Sequence, residues 1–168
     1  PFRGFVQERE AVGASGRNWL VFGNPHARSD FLYQTEWQDA LRRSALHRLS
    51  LAFSRDQAQK VYVQHALREQ GREVYDWLQN GAHLYVCGDA TRMAKDVHAA
   101  LIEIVAEHGG LDTDAAGDYI ATLAAQGEPS QLFAFDETRG IVLARADALG
   151  LRLSEHVESG LITLQQVD

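Results

Sequence analysis

Short apolar runs and stretches of helical periodicity alternate along most of the chain. The apolar runs predict strands at Trp19–Phe22, Leu49–Phe53 and Leu84–Cys87, each closed by polar or glycine residues. Helical spacing or a capping residue predicts helices over 2–12, after Ser29, over 61–78 with a break at Gly71, after Asp89 and after Thr113. Because parallel neighbours need crossover connections, this order predicts an α/β sandwich, with helices on both faces of a parallel sheet.

The stretch Gly127–Ser130 is typical of a linker or loop, and it follows the last helix of the alternating strands and helices. Beyond it, the pattern predicts strands at Leu132–Phe135 and Leu161–Leu164, with a helix through Val142, Ala146 and Leu149 between them. We therefore predict two parts, a domain over residues 1–126 and an αβ tail over residues 127–168.

Composition narrows the class of protein. The 168 residues carry a formal net charge of -7, which argues against a nucleic-acid partner. A single cysteine excludes an internal disulfide, and no apolar run approaches the length of a membrane span, so we expect a cytoplasmic protein without membrane contact. The sequence has no GxxxxGK[ST], GxGxxG or GxSxG motif, and its scattered histidines predict no metal site.

Candidate chemistry lies at the ends of two predicted strands. Leu84–Cys87 is followed by Gly88 and Asp89, a strand, turn and helix start of the kind that binds ligands in open α/β sheets. Cys87, at the strand tip, is a candidate neighbour of the reacting atoms, although a lone cysteine is more often a small buried residue. Asp89 and Asp96 are seven residues apart on one predicted helix face. They either bind ribose or carboxamide groups or serve as a cap and a solvated residue.

The second strand end carries a hydroxyl, a guanidinium and an ammonium where an NAD-selective site carries an acid. Such groups bind a 2′-phosphate, and an aromatic ring and an amide nearby suit the adenosine. The residues are Ser54, Arg55, Lys60, Tyr62 and Gln64. Asp56 opposes this reading by its charge, and an ordinary solvated helix start is the alternative interpretation.

Several motifs occur together, in an order that matches a known family. They are Pro1–Arg9, Phe22–His26, Ser29–Tyr33, Ala52–Gln57, Lys60–Gln64 and Tyr85–Ala90. Over residues 1–126 the chain resembles the NADPH-binding half of the diflavin reductases, the family of the sulfite reductase flavoprotein (alpha) subunits. The resemblance implies a ferredoxin–NADP reductase-like NADP-binding domain that lacks its first strand, because the family's glycine-rich loop and that strand would precede Pro1.

The resemblance also implies a role for individual residues. Ser54, Arg55, Lys60 and Tyr62 would bind the 2′-phosphate, Gln64 the adenosine and Asp96 the nucleotide, with Val61, Val63 and Asp89 at further cofactor-binding positions. Cys87 would lie beside the nicotinamide as the catalytic residue. The implied cofactor is NADPH; FAD and FMN belong to the full-length family enzyme and are not expected to bind this chain. The implied partners are a flavin-binding domain and a haem or iron–sulfur reductase subunit.

The tail resembles a different family. Phe133–Glu137, Leu149–Leu151 and Val157–Leu161 are similar to a segment of KaiC-like ATPases, without the phosphate loop that ATP hydrolysis needs. Two interpretations of the whole chain therefore stay open. It is the NADPH-binding module of a flavoprotein oxidoreductase, inactive by itself, or a regulatory protein with a vestigial nucleotide site. A sheet edge left open by the missing strand would favour association, unless the tail strands fill it.

Overall fold

A computed structural model of the chain describes residues 1–89, 91–126, 130–135 and 162–167. The chain divides into two compact units, residues 1–120 and residues 121–168. The elements in chain order are α1 (Phe2–Ala11), β1 (Trp19–Asn24), α2 (Ala27–Asp30), α3 (Gln34–Arg42), β2 (Arg48–Phe53), α4 (Val63–Glu69), α5 (Gly71–Gln79), α6 (Met93–Gly109), α7 (Thr113–Gln126), β3 (Ser130–Phe135) and β4 (Ile162–Val167).

The sheet of the first unit pairs β1 with β2 in parallel, from Trp19 opposite Arg48 to Asn24 opposite Phe53. Successive side chains of a strand point to opposite faces, and helices lie against the sheet, with α3 in contact with β2 and α4 in contact with both strands. On one face of the sheet, Leu20 of β1 packs in one cluster with Trp37 of α3 and with Leu46, which lies just before β2. This arrangement suits the apolar, non-alternating run at Trp19–Phe22, and it confirms the predicted parallel α/β sandwich.

Helices α4, α5 and α6 pack together, and α4 also contacts both strands. Their shared core is made of small and branched apolar side chains on the inward stripe of each helix. These are Ala66, Leu67, Val74, Leu78, Val97, Ala100, Leu101, Ile104 and Val105. The periodicity that predicted α6 therefore reflects a buried stripe, as expected for an amphipathic helix.

A polar cluster joins β2 to the junction of α4 and α5. The side-chain oxygen Oε1 of Gln70 accepts hydrogen bonds from Arg48 Nε at 3.1 Å, Arg48 Nη2 at 2.6 Å and the Ser50 hydroxyl at 2.8 Å. Trp19 Nε1 donates in turn to the Ser50 hydroxyl at 3.0 Å. The predicted break at Gly71 is confirmed, because Gln70 separates the two helices.

The predicted strand at Leu84–Cys87 is wrong. This segment has no strand assignment, and Leu84, Tyr85 and Val86 are 49%, 51% and 42% exposed. A strand is stabilised by ladder hydrogen bonds to a neighbour, and within the part of the chain that the structure describes β1 pairs only with β2. Strand propensity alone therefore does not make this segment a strand, although Tyr85 packs its ring against Phe5 of α1, 5.3 Å between centroids.

Two predicted helix starts also differ from the structure. Ser29 lies inside α2 and does not cap it, because the helix begins two residues earlier, at Ala27. The helix expected directly after Asp89 begins at Met93. Asp89 instead forms a turn, in which its carboxylate accepts hydrogen bonds from the Thr91 amide at 2.8 Å and hydroxyl at 2.6 Å.

In the second unit, β3 and β4 form a parallel pair, from Ser130 opposite Ile162 to Phe135 opposite Val167. Both tail strands are therefore confirmed, and they pair with each other. The helix predicted through Val142, Ala146 and Leu149 lies outside the described residues. Among the described helices, none is both long and apolar enough to cross a membrane.

Candidate functional site

The loops that follow β1 and β2 continue the pairing of the two strands beyond the sheet. The Ser54 amide donates to the Asn24 carbonyl at 3.0 Å, and the Arg55 amide donates to the Pro25 carbonyl at 2.9 Å. Because both strands are parallel, their carboxyl ends meet at this edge. The backbone of Ser54 and Arg55 is thus held in a defined position at the edge where α/β sheets bind ligands.

Asp56 extends the same ladder through its side chain. One carboxylate oxygen accepts a hydrogen bond from the Ala27 amide at 2.7 Å, and the other lies 2.9 Å from His26 Nδ1. The Ala27 amide and the His26 ring together lower the pKa of Asp56 below its ordinary value. The carboxylate that weakened the sequence case for an anion site is therefore already engaged by groups of the β1 loop.

The cationic side chains of this edge are available to a ligand. Arg55 and Lys60 are exposed, and neither forms an ion pair with another residue in the described ranges. Ser54, the residue directly before Arg55, is half-buried. A hydroxyl, a guanidinium and an ammonium at one strand end form a donor set suited to a dianionic phosphate.

The start of α4 adds an aromatic surface. Tyr62 precedes the helix, is 41% exposed, and its amide donates to His65 Nδ1 at 3.0 Å. Val61 and Val63, on either side of Tyr62, are half-buried. Val63 lies so close to Gly23 of β1 that a Cβ on the glycine would come within 2.6 Å of Val63 Cγ1. Glycine at position 23 thus allows α4 to begin directly against the end of β1.

Replacing Gly23 by alanine is expected to destabilise the fold by about 1–2 kcal/mol, the usual cost of overpacking a filled contact. It should also lower nucleotide affinity several-fold, since the start of α4 must move away from β1. Urea denaturation and nucleotide titration measure the two effects. Gly4→Ala is the matched control, because a Cβ at Gly4 meets no atom within 4 Å. Equal stability of G23A and G4A would contradict the close-contact argument.

The structure brings together two of the predicted site residues, Gln64 and Asp96. Gln64 is 8% exposed and donates from Nε2 to Asp96 Oδ2 at 3.1 Å, while its side-chain oxygen Oε1 is buried without a hydrogen-bond partner in the described part of the chain. Asp96 lies in the first turn of α6 and is exposed. The expected shared helix face of Asp89 and Asp96 is wrong, because Asp89 precedes the helix.

Cys87 and Asp89 belong to the unpaired segment before α6. Cys87 is an exposed free thiol, contrary to the buried role common for a lone cysteine. Hydrogen bonds from the Thr91 hydroxyl and amide lower the pKa of Asp89, which keeps its carboxylate ionised. Between this segment and residues 54–64, the described residues show no hydrogen bond or ion pair.

Sequence reasoning did not identify His26 and Ala27 as parts of this edge. Their contribution depends on the register of β1 and β2, which sets residues 24–27 opposite residues 54–56. The order of the strands in the chain does not fix that register. Among the residues that the structure describes, no cluster of three or more histidine, cysteine or acidic side chains is arranged to hold a metal ion.

Comparison with known proteins identifies the family to which this chain belongs. A family model described as "oxidoreductase NAD-binding domain" matches residues 1–99. The chain is 63% identical over 123 residues to the sulfite reductase [NADPH] flavoprotein alpha-component of Shewanella sp. (strain MR-7), which covers 73% of this chain and 20% of that protein. The same component of Cronobacter sakazakii is 59% identical over 126 residues, covering 75% and 21%, and that of Yersinia enterocolitica 58% over 123 residues, covering 73% and 20%.

The chain thus spans about a fifth of the length of these curated relatives. The matches confirm the resemblance inferred from the motifs of the first 126 residues, and they agree with the open α/β arrangement of the first unit. The chain belongs to the oxidoreductase NAD-binding domain family.

Proposed function

We propose that this chain is the NADP(H)-binding module of a flavoprotein oxidoreductase of the sulfite reductase type. The observation that carries the proposal is the edge after β2. There, the backbone of Ser54 and Arg55 is tied to the β1 loop, Arg55 and Lys60 lack ion-pair partners among the described residues, and Asp56 is engaged elsewhere. An NAD-selective site would carry an acidic group free to bind the ribose hydroxyls at this place.

Each residue of this edge has a chemical role in the proposal. Arg55 binds the 2′-phosphate through its planar fork, Lys60 adds a point charge, and the Ser54 hydroxyl donates a further hydrogen bond. Tyr62 offers its exposed ring to the adenine. Gln64 and Asp96, already bonded to each other, border the adenosine with one buried amide oxygen still able to accept a hydrogen bond.

The redox part of the proposal concerns the segment before α6. NADPH, when bound, supplies the hydride, and the protein supplies position and electrostatics. Cys87 would lie beside the nicotinamide at the point where hydride leaves for FAD. The further route through FMN to a haem or iron–sulfur partner is proposed for the whole protein from the family resemblance, and reduction of sulfite from the name of its relatives, sulfite reductase [NADPH] flavoprotein alpha-component.

The test is a calorimetric titration of the chain with NADP⁺ and, separately, with NAD⁺. We expect NADP⁺ to bind at least tenfold more tightly, a difference of about 1.4 kcal/mol. Retention on immobilised 2′,5′-ADP checks the same preference without the nicotinamide. Equal affinity for the two nucleotides, or no binding by a chain that circular dichroism shows to be folded, would contradict the proposal and favour a non-catalytic role.

A further inference from the structure

We propose that Asp56 is a positioning residue that fastens the Arg55 turn to the β1 loop and thereby sets the preference for a 2′-phosphate. This inference rests on the proposed function and adds to it a residue whose charge alone would predict the opposite effect. The carboxylate neighbours Arg55 in sequence but binds the loop on the other strand.

The geometry is a continuous set of bonds between two loops. Asn24 and Pro25 accept the amides of Ser54 and Arg55, at 3.0 Å and 2.9 Å. Asp56 then reverses the direction of donation, because its carboxylate accepts from the β1 loop. A loop bonded in both directions cannot slide along its neighbour without breaking several bonds together. The Asp56 contact is the only one in this set that a side chain of the β2 loop makes. A substitution at position 56 can therefore remove it without removing any backbone donor or acceptor.

The β1 loop is itself held in place where Asp56 binds. The Asp30 carboxylate accepts from the His26 amide at 3.0 Å, and Asn24 Nδ2 donates to the Asp30 carbonyl at 2.8 Å. Asp56 therefore binds a braced loop rather than a free one. Because this loop is braced, the Asp56 contact adds a fixed anchor to the backbone bonds that hold the Arg55 turn.

The charge of Asp56 provides a test, because two explanations predict opposite changes in NADP⁺ affinity when the carboxylate is removed. A carboxylate that acts only as a nearby anion repels the phosphate, so its neutralisation would raise affinity for NADP⁺. A carboxylate that positions Arg55 helps phosphate binding through geometry, so its removal lowers that affinity. The lowered pKa of Asp56, due first to the Ala27 amide and then to His26, agrees with a well-bonded acceptor.

The experiment compares D56A, which removes both the charge and the acceptor of the Ala27 amide, with the wild-type chain by titration with NADP⁺ and NAD⁺. We expect D56A to bind NADP⁺ at least threefold more weakly, with NAD⁺ affinity unchanged, so that the ratio of the two affinities falls. General destabilisation would lower both affinities and leave the ratio unchanged. D76A removes one exposed carboxylate that pairs with Arg72 on α5, and serves as the charge-matched control with wild-type binding. Unchanged or higher NADP⁺ affinity in D56A overturns the inference.

A second variant acts from the other side of the contact. A27P removes the donating amide at the first residue of α2, a position that tolerates proline, and His26 before it has an extended backbone compatible with proline. We expect A27P to lower the ratio of NADP⁺ affinity to NAD⁺ affinity, as D56A does. Wild-type selectivity in a folded A27P chain would also overturn the inference.

Amide hydrogen exchange separates this inference from the proposed function. If the wild-type chain shows no preference for NADP⁺, the proposed function fails. The positioning role is then judged by exchange at the Ser54 and Arg55 amides alone. Faster exchange of these two amides in D56A than in D76A supports the fastening role, and equal exchange overturns it.

Discussion

Replacing Arg55 by alanine is expected to weaken NADP⁺ binding by about tenfold to a hundredfold and to leave NAD⁺ binding unchanged. A hydrogen bond to a charged group contributes about 1.5–3 kcal/mol, and a guanidinium can form two parallel bonds to one phosphate. Arg55 has no competing ion pair within the described residues, so its full donor capacity is open to the ligand. Calorimetric titration with both nucleotides measures the effect.

Two further variants make this result specific. R55K keeps the positive charge but loses the planar fork, so we expect an intermediate affinity. R72A removes an exposed arginine on α5 that pairs with Asp76, and should bind both nucleotides like the wild-type chain. An R55A chain that keeps wild-type affinity for both nucleotides would show that the phosphate is not bound at this edge.

Replacing Gln70 by leucine is expected to destabilise the first unit by about 2 kcal/mol, because partly buried donors lose their acceptor. Leucine has a similar size but no oxygen to accept the bonds from the Arg48 guanidinium and the Ser50 hydroxyl. Urea denaturation followed by tryptophan fluorescence is a direct measurement, because Trp19 donates to Ser50 in the same cluster.

Q70E is the matched control for this change. A glutamate keeps oxygen acceptors in place for Arg48 and Ser50, so we expect most of the stability to be retained. Arg48 also pairs with Glu73 and stacks on the Trp19 ring, 4.6 Å from its centroid, which limits the loss in Q70L. Denaturation midpoints that are equal for Q70L and the wild-type chain would show that water satisfies the donors equally well.

The local spacing of apolar residues predicted the helices and strands that tertiary contacts also stabilise. The buried stripe of α6 and the apolar residues of β1 and β2 are visible in the sequence, so these elements could be predicted. The segment Leu84–Cys87 has equal strand propensity but no hydrogen-bonded strand beside it among the described residues, and strand propensity cannot supply one. Ser29 failed as a cap because the structure starts α2 earlier, with Asp56 from a distant loop accepting the Ala27 amide.

The candidate site likewise has a part that the sequence predicts and a part that depends on tertiary contacts. That Arg55 and Lys60 follow a strand of the sheet could be predicted, since strand ends are visible in the sequence. The engagement of Asp56 could not, because it depends on the register between strands that are far apart in the chain. Sequence alone counts Asp56 as an opposing charge, while the structure makes it an acceptor for the neighbouring loop.

The exposed segment Leu84–Val86 has a consequence for cleavage of the chain. Proteases bind a substrate as an extended strand, and they cannot do so where the backbone is already engaged in a sheet or helix. The peptide bonds beside Tyr85 are exposed and outside any helix or strand, and a large aromatic side chain there suits a chymotrypsin-like specificity pocket. Brief digestion would therefore cut here before the interior of β1 or α6, leaving α1 to α5 in one product and α6 in the other.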